Sequence, residues 1–277
     1  MDAFPTFAAK FKLIVLDRKI RVGAVSYLNT KPLIYGIEYS PVFREISLIT
    51  EYPARIAEML LTDEIDIGLV PVSIIPQMKE YHINTRYCIG SDGPVASVCL
   101  FSEVPVQDIR KVLLDYQSRT SVALAEILFE RHWKQKPVFE QAGPDFLRDI
   151  RGGTAAVVIG DRALQQRKIS AHFYDLGEQW KQLTGLPFVF AAWISNKALD
   201  PDWVHRFDEA NAFGIQNIPR LLEGLPSNDF DLQAYYTQYL SYDLNEKKKK
   251  GLKLFLSLLA ENKLNAKRLT PNNFPDC

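Results

Sequence analysis

At 277 residues and 31.6 kDa the chain is long enough for one large or two smaller domains, and 47% hydrophobic content supplies an ample core. Thirty-three basic residues balance thirty-three acidic ones, so no overall field draws the chain to nucleic acid or to an anionic membrane, and any anion recognition has to be local. Cys88, Cys99 and Cys277 are odd in number, widely spaced and without a CxxC pair, which argues against a disulfide framework or a thiolate metal site and fits a reducing cytoplasm.

Residues 1–19 hold one short apolar run broken by Lys10 and Lys12, with no small-residue cleavage site and no lipid-acceptor cysteine. No signal peptide is read there; the segment is an N-terminal extension, with Phe11 to Leu16 open between an added strand, an unstructured lead and the product of an upstream start codon. No apolar stretch approaches the length that spans a bilayer.

From Ile20 to Val25 the pattern predicts a strand, followed by a Ser-Tyr-Leu-Asn-Thr turn and a short helix over Thr30 to Ile37, with Pro32 just inside it. A strand end feeding a helix start aims unpaired backbone N–H groups, a positive dipole end and small side-chain donors at one point, where an anion can be held. Ser26, Tyr27, Asn29 and Thr30 are therefore candidate ligand contacts; the plainer alternative is that Asn29 or Thr30 merely caps the helix. A strand over Glu45 to Thr50, a helix over Pro53 to Leu61 with Ile56, Met59 and Leu60 on one face, and a strand over Asp66 to Val70 follow.

Val95 to Phe101 and Phe188 to Ile194 are long apolar runs that serve no local hairpin, and a self-contained α/β stretch lies between them. That nesting predicts two α/β lobes on largely parallel sheets, joined by two crossing strands: a first lobe over 20–100, an inserted lobe over 101–190, and completion of the first by 191–277. In DGPVASV, Ser97 sits among apolar neighbours; it is a hinge candidate or a buried serine satisfied internally.

Within the insert, a strand over Val112 to Asp115 leads through QSRTS into a helix with Leu124, Ile127 and Leu128 on one face. Ser118, Thr120 or Ser121 caps it, and Arg119 beside Thr120 and Ser121 is the candidate carboxylate grip, unless that arginine is simply solvated. A strand over Ala155 to Ile159 ends in Gly160 and Asp161; Asp161 is read as a helix cap and kept as a site candidate. Beyond Ile194 the chain reads as helical, over Trp203 to Leu222, Leu232 to Leu240 and a last helix with Leu252, Phe255, Leu256 and Leu259 at core spacing. The four lysines at 247–250 read as its solvated face.

His82, His132, His172 and His205 make no HxxxH or HExxH arrangement, so no metal site is expected. No GxGxxG, GxxxxGK[ST] or GxSxG string occurs, so neither a dinucleotide, a nucleotide nor a serine elbow is implied. Spacing alone thus delivers a two-lobed receptor for a small anion, with the ligand in the cleft.

Six ordered blocks go further: VGAVSYLNTKPL, DIGLVPVSIIP, IGSDGPVASVCLFS, the VLLD and SRTSVALAEIL pair, VVIGDRAL and DLGEQWKQLTGLPFVFAAWI. Together they resemble the chorismate dehydratase (MqnA) family of the futalosine route to menaquinone, from about Ile20 to the C-terminal helices. The resemblance implies a type II periplasmic-binding-protein-like fold with a discontinuous first lobe, used as a cytoplasmic enzyme. It implies the conversion of chorismate to 3-[(1-carboxyvinyl)oxy]benzoate with loss of water and no cofactor, by a monomer or homodimer. It points to Asn29 of the YLN motif as the catalytic side chain, with the substrate's own side-chain carboxylate as a candidate proton acceptor. Three readings compete: a solute-binding protein, disfavoured by the missing export signal; the sibling 1,4-dihydroxy-6-naphthoate synthase, which carries a Cys-Pro-Asn-Asp-like string where this chain has SYLNT; and a regulator's effector domain, disfavoured because no helix-turn-helix segment precedes Ile20.

Overall fold

The computed structural model describes residues 18–226 and 229–269, so the reading of Phe11 to Leu16 lies outside the described residues. The first sheet opens with a parallel βαβ pair. β1 (Ile20–Val25) has four consecutive fully or nearly buried residues, as a central strand covered on both faces requires. A short 3-10 turn over Leu28–Thr30 then enters α1 (Lys31–Glu38), where Pro32 occupies the first turn. β2 (Ile46–Glu51) pairs with β1 from Ile20 opposite Ile46 to Val25 opposite Glu51. α2 (Pro53–Leu61) buries Ile56, Met59 and Leu60 at helical spacing, and β3 (Ile67–Pro71) joins the other edge of β1. β4 (His82–Ser91) completes this part of the chain.

The second lobe contains β5 (Val98–Ser102), β6 (Lys111–Leu114), α3 (Thr120–Leu128), β7 (Val138–Gln141), β8 (Thr154–Ile159), α4 (Asp161–Gln166), β9 (His172–Asp175) and α5 (Leu176–Thr184). The chain then returns to the first sheet through β10 (Phe188–Ser195) and continues into α6 (Pro201–Gln216), α7 (Ile218–Glu223), the single turn α8 (Leu232–Ala234), β11 (Ser241–Asp243) and α9 (Glu246–Leu269). Strand order is β11-β4-β10-β3-β1-β2 in the first sheet and β7-β6-β8-β5-β9 in the second.

The structure corrects several sequence expectations. The strands formed by the two long apolar runs each stay within one sheet, although Val95 to Ser97 at the head of the first run belong to the link between lobes: β5 lies between β8 and β9, β10 lies between β3 and β4, and central burial explains their apolar character. Both are antiparallel to their neighbours, so the sheets are mixed rather than largely parallel. The link from β4 to β5 is irregular: Ala96 holds φ +66°, Ser97 N–H bonds to Val95 C=O at 2.8 Å, and the Asp175 carboxylate accepts from the N–H groups of Val95 and Ala96. Pro219 splits the predicted helix over 203–222 into α6 and α7. The C-terminal region is not all helical, because β11 pairs with β4. The lysine run is not wholly solvated, since Lys248 is 1% exposed while Lys247, Lys249 and Lys250 face water.

Candidate active site

Three helices present their N-terminal ends to one hollow between the lobes. Asn29 and Thr30 precede α1, Pro53 opens α2, Ser118 precedes α3, and Thr120 and Ser121 form its first turn; all of them line the space. The positive ends of three dipoles therefore converge on this space, although the α2 N–H groups of Ala54, Arg55 and Ile56 are already bonded to the Gln117 and Tyr52 carbonyls and the Ser121 N–H of α3 to Ser118 Oγ. Leu69, Ile89, Val98, Ile159 and Phe190 add an apolar floor suited to a small ring. Among the described residues no charged side chain lines this hollow.

Asn29 is held at both ends. The Thr30 hydroxyl donates to Asn29 Oδ1 at 3.0 Å, and the Tyr242 hydroxyl donates to the Asn29 carbonyl at 3.0 Å. With its oxygen turned to Thr30, the amide has Nδ2 left over, unpartnered among the described residues and available to a ligand acceptor.

The lobes are closed on each other around this space. Leu28 N–H of the first lobe donates to Asp161 Oδ1 of the second at 3.0 Å, Ala54 N–H donates to the Gln117 carbonyl at 3.1 Å, and Ser73 N–H donates to Thr120 Oγ1 at 3.2 Å. The Tyr27 hydroxyl donates to Gln117 Oε1. Gly160, at φ +67°, permits that approach, because a Cβ there would stand 2.8 Å from the Tyr27 ring.

Behind Tyr27 lies a buried ion pair. Arg162 Nη2 donates to both Asp115 oxygens at 2.9 and 2.8 Å and to Gln117 Oε1 at 2.7 Å. Burial pushes the Asp115 carboxyl up, against the Arg162 charge and the N–H groups of Gln117 and Ile159 that favour its ionised form. Burial also raises the Tyr27 phenol, with Arg162 opposing, so Tyr27 stays a protonated donor at neutral pH.

The sequence candidates divide. Tyr27, Asn29, Thr30, Thr120 and Ser121 share the hollow. Arg119 does not: as the N-cap of α3 it lines a separate open groove with Tyr116, Val122 and Glu126, on the far side of Ser118. Arg119 is therefore not among the groups that face the hollow. Ser26 is exposed and outside the hollow. Ser97 is fully buried and off the wall, and its Oγ accepts from the Tyr235 hydroxyl at 2.7 Å. Asp161 does not cap α4, whose N-cap is Gly160; it is the second lobe's acceptor for Leu28. Capping of α3 falls to Ser118, whose Oγ accepts from Ser121 N–H at 3.2 Å.

Sequence reasoning missed Asp115, Gln117, Arg162 and Tyr242. Asp115 and Arg162 are 47 residues apart, so no local pattern announces the pair; the faint signal was an aspartate ending an apolar strand and an arginine in the first turn of α4.

A family model described as menaquinone biosynthesis matches residues 20–261. The chain is 26% identical over 264 residues to the chorismate dehydratase of Thermus thermophilus, an alignment covering 86% of this chain and 94% of that one. It is 25% identical over 245 residues to the chorismate dehydratase of Campylobacter jejuni, covering 84% and 95%. Among solved structures it resembles a protein of Archaeoglobus fulgidus with TM-score 0.68 and 16% identity, covering 89% of this chain and 98% of that one. It also resembles a Candida albicans protein described as having the generic periplasmic binding protein fold, with TM-score 0.55 and 16% identity, covering 90% and 95%. On a periplasmic-binding-protein-like fold whose lobes meet over Asn29, Thr120 and Ser121, this chain belongs to the menaquinone biosynthesis family.

Proposed function

We propose that this chain removes water from chorismate to give 3-[(1-carboxyvinyl)oxy]benzoate, a hydro-lyase step of futalosine-dependent menaquinone biosynthesis carried out in the cytoplasm. The observation that carries the reading is the convergence of three helix N-termini and the Asn29 amide on a closed, apolar-floored hollow. Chorismate carries two carboxylates, one on the ring and one on the enolpyruvyl arm, and helix ends in both lobes offer donors to each. The names of relatives at 26% and 25% identity support the same substrate. The buried, unpaired thiols of Cys88 and Cys99 suit a reducing compartment.

The reaction breaks one ring C–O bond and one neighbouring ring C–H bond, and the electron pair of the C–H bond becomes the new ring double bond. Hydroxide and proton leave as water, the ring becomes aromatic, and no oxidant or reductant enters the balance. The step is downhill, so the protein's task is to select a reactive conformer and stabilise the charge developing on the departing oxygen. In this reading Asn29 Nδ2 donates to that oxygen, and the substrate's enolpyruvyl carboxylate takes the proton. Ser118, Thr120, Ser121 and the α3 N-terminus receive a carboxylate in the second lobe.

Incubating purified protein with chorismate and following ultraviolet absorbance tests the reading. The expected result is loss of the cyclohexadiene band with appearance of a benzoate product. Binding of chorismate without turnover would return the chain to the solute-binding class.

A further inference from the structure

Lys248 is the one member of its lysine run that turns inward, and it does so at a strand irregularity. β11 pairs with β4 through Ser241 opposite Gly90 and Asp243 opposite Tyr87, so Cys88 and Ile89 of β4 together oppose Tyr242 and the extra residue lies on β4. The carbonyls of Ser241 and Asp243, two residues apart on β11, point the same way, and the Lys248 ammonium bridges them: Nζ donates to the Ser241 carbonyl and, at 2.7 Å, to the Asp243 carbonyl, and lies 3.8 Å from Cys88 Sγ. Room for it comes from Gly90, where a Cβ would stand 3.2 Å from Lys248 Cε and 3.4 Å from Nζ. A buried ammonium is costly to desolvate, so its retention here asks for a use.

The two carbonyls it clamps flank Tyr242, and Tyr242, 5% exposed, donates its hydroxyl to the Asn29 carbonyl at 3.0 Å. We infer that Lys248 and Tyr242 orient Asn29: Lys248 holds β11 in place opposite the β4 bulge, and Tyr242 carries that constraint into the turn that presents the Asn29 amide to the hollow. Neither side chain lines the hollow, so both are positioning residues, and the inference rests on Asn29 being the reacting amide. The C-terminal helix α9, remote in sequence, thereby becomes part of the catalytic apparatus.

Tyr242→Phe keeps the ring and removes only the hydroxyl. The expected result is a fall in kcat for chorismate of about tenfold with KM within about twofold, because orientation of a transition-state contact is lost while ground-state binding persists. A second readout needs no turnover: the Asn29 side-chain NH2 resonance, identified by its absence from Asn29→Ala protein, should shift or broaden in Tyr242→Phe and in Lys248→Met, and stay put in the exposed-site control Tyr39→Phe. Unchanged kcat, a KM rise at constant kcat, or an unmoved Asn29 resonance in Tyr242→Phe overturns the inference. A Lys248→Met protein with altered thermal stability but unaltered kcat and Asn29 resonance removes Lys248 from it. Should the unmutated protein fail to turn over chorismate, the proposed function falls, and the resonance still decides whether Tyr242 orders Asn29.

Discussion

Asp161 Oδ1, at the start of a second-lobe helix, accepts the N–H of Leu28, the residue immediately before Asn29, across 3.0 Å of the lobe junction. One of the contacts that close the lobes is thus made at the turn that carries Asn29. Burial raises the Asp161 carboxyl, while the Leu28 N–H and Lys31 pull the other way. A carboxyl raised in the folded state holds its proton to higher pH than in the unfolded chain, so stability falls as pH rises from the unfolded value of 3.8 through the folded one, and the ionised form is a cost at pH 7. Asp161→Asn keeps an acceptor for Leu28 without that charge. Its thermal midpoint should exceed that of the parent at pH 7, with the gain disappearing as pH is lowered toward 4; an equal or larger gain in acid would contradict this sign.

Removal of the Asn29 amide should act on the chemical step. Asn29→Ala is expected to lower kcat by roughly 10²–10³-fold, the range for losing one preorganised donor to a developing oxyanion, with a much smaller change in KM. Steady-state turnover of chorismate measures both.

The second-lobe contacts separate two neighbours in sequence. Ser121→Ala takes one hydroxyl from the wall and should raise KM roughly fivefold, equivalent to about 1 kcal/mol of hydrogen bonding. Arg119→Ala, in the outer groove, should leave KM within about twofold. A tenfold rise for Arg119→Ala would place the guanidinium on the substrate after all.

Arg162 is the counter-ion of a fully buried carboxylate. Arg162→Met leaves Asp115 unpaired and should destabilise the fold by about 3 kcal/mol, the lower end for breaking a buried pair because the Arg162 side chain is 27% exposed. Urea unfolding measures the loss, and adding Asp115→Leu should restore part of it.

How much of this was legible in the sequence depends on the range of the interactions. β1 with its turn and α1, α2, β3, and the β6 to α3 passage were readable because each is a local unit: an apolar strand, a break at Pro, Ser or Asn, then a helical stripe. β4 was not, since its sequence HINTRYCIGS mixes polar and apolar residues without alternation and gains strand structure from β10 and β11 on its two sides. At the site, the turn around Asn29 and the hydroxyls of Thr120 and Ser121 were visible as donors beside helix starts. The direction of Arg119 was not, because the side chain of an N-cap residue is aimed by tertiary neighbours rather than by helix period. Lys248 was misread for a related reason: a charge run looks solvated until the carbonyls of a distant strand are seen to surround one member.

Because the polar part of the hollow's wall is made of hydroxyls, an amide and helix ends, with no charged side chain among the described residues, a bound anion would meet no carboxylate, ammonium or guanidinium there. Backbone donors survive any side-chain replacement that leaves the helices in place, so that part of the wall is set by the fold and not by the identity of one residue.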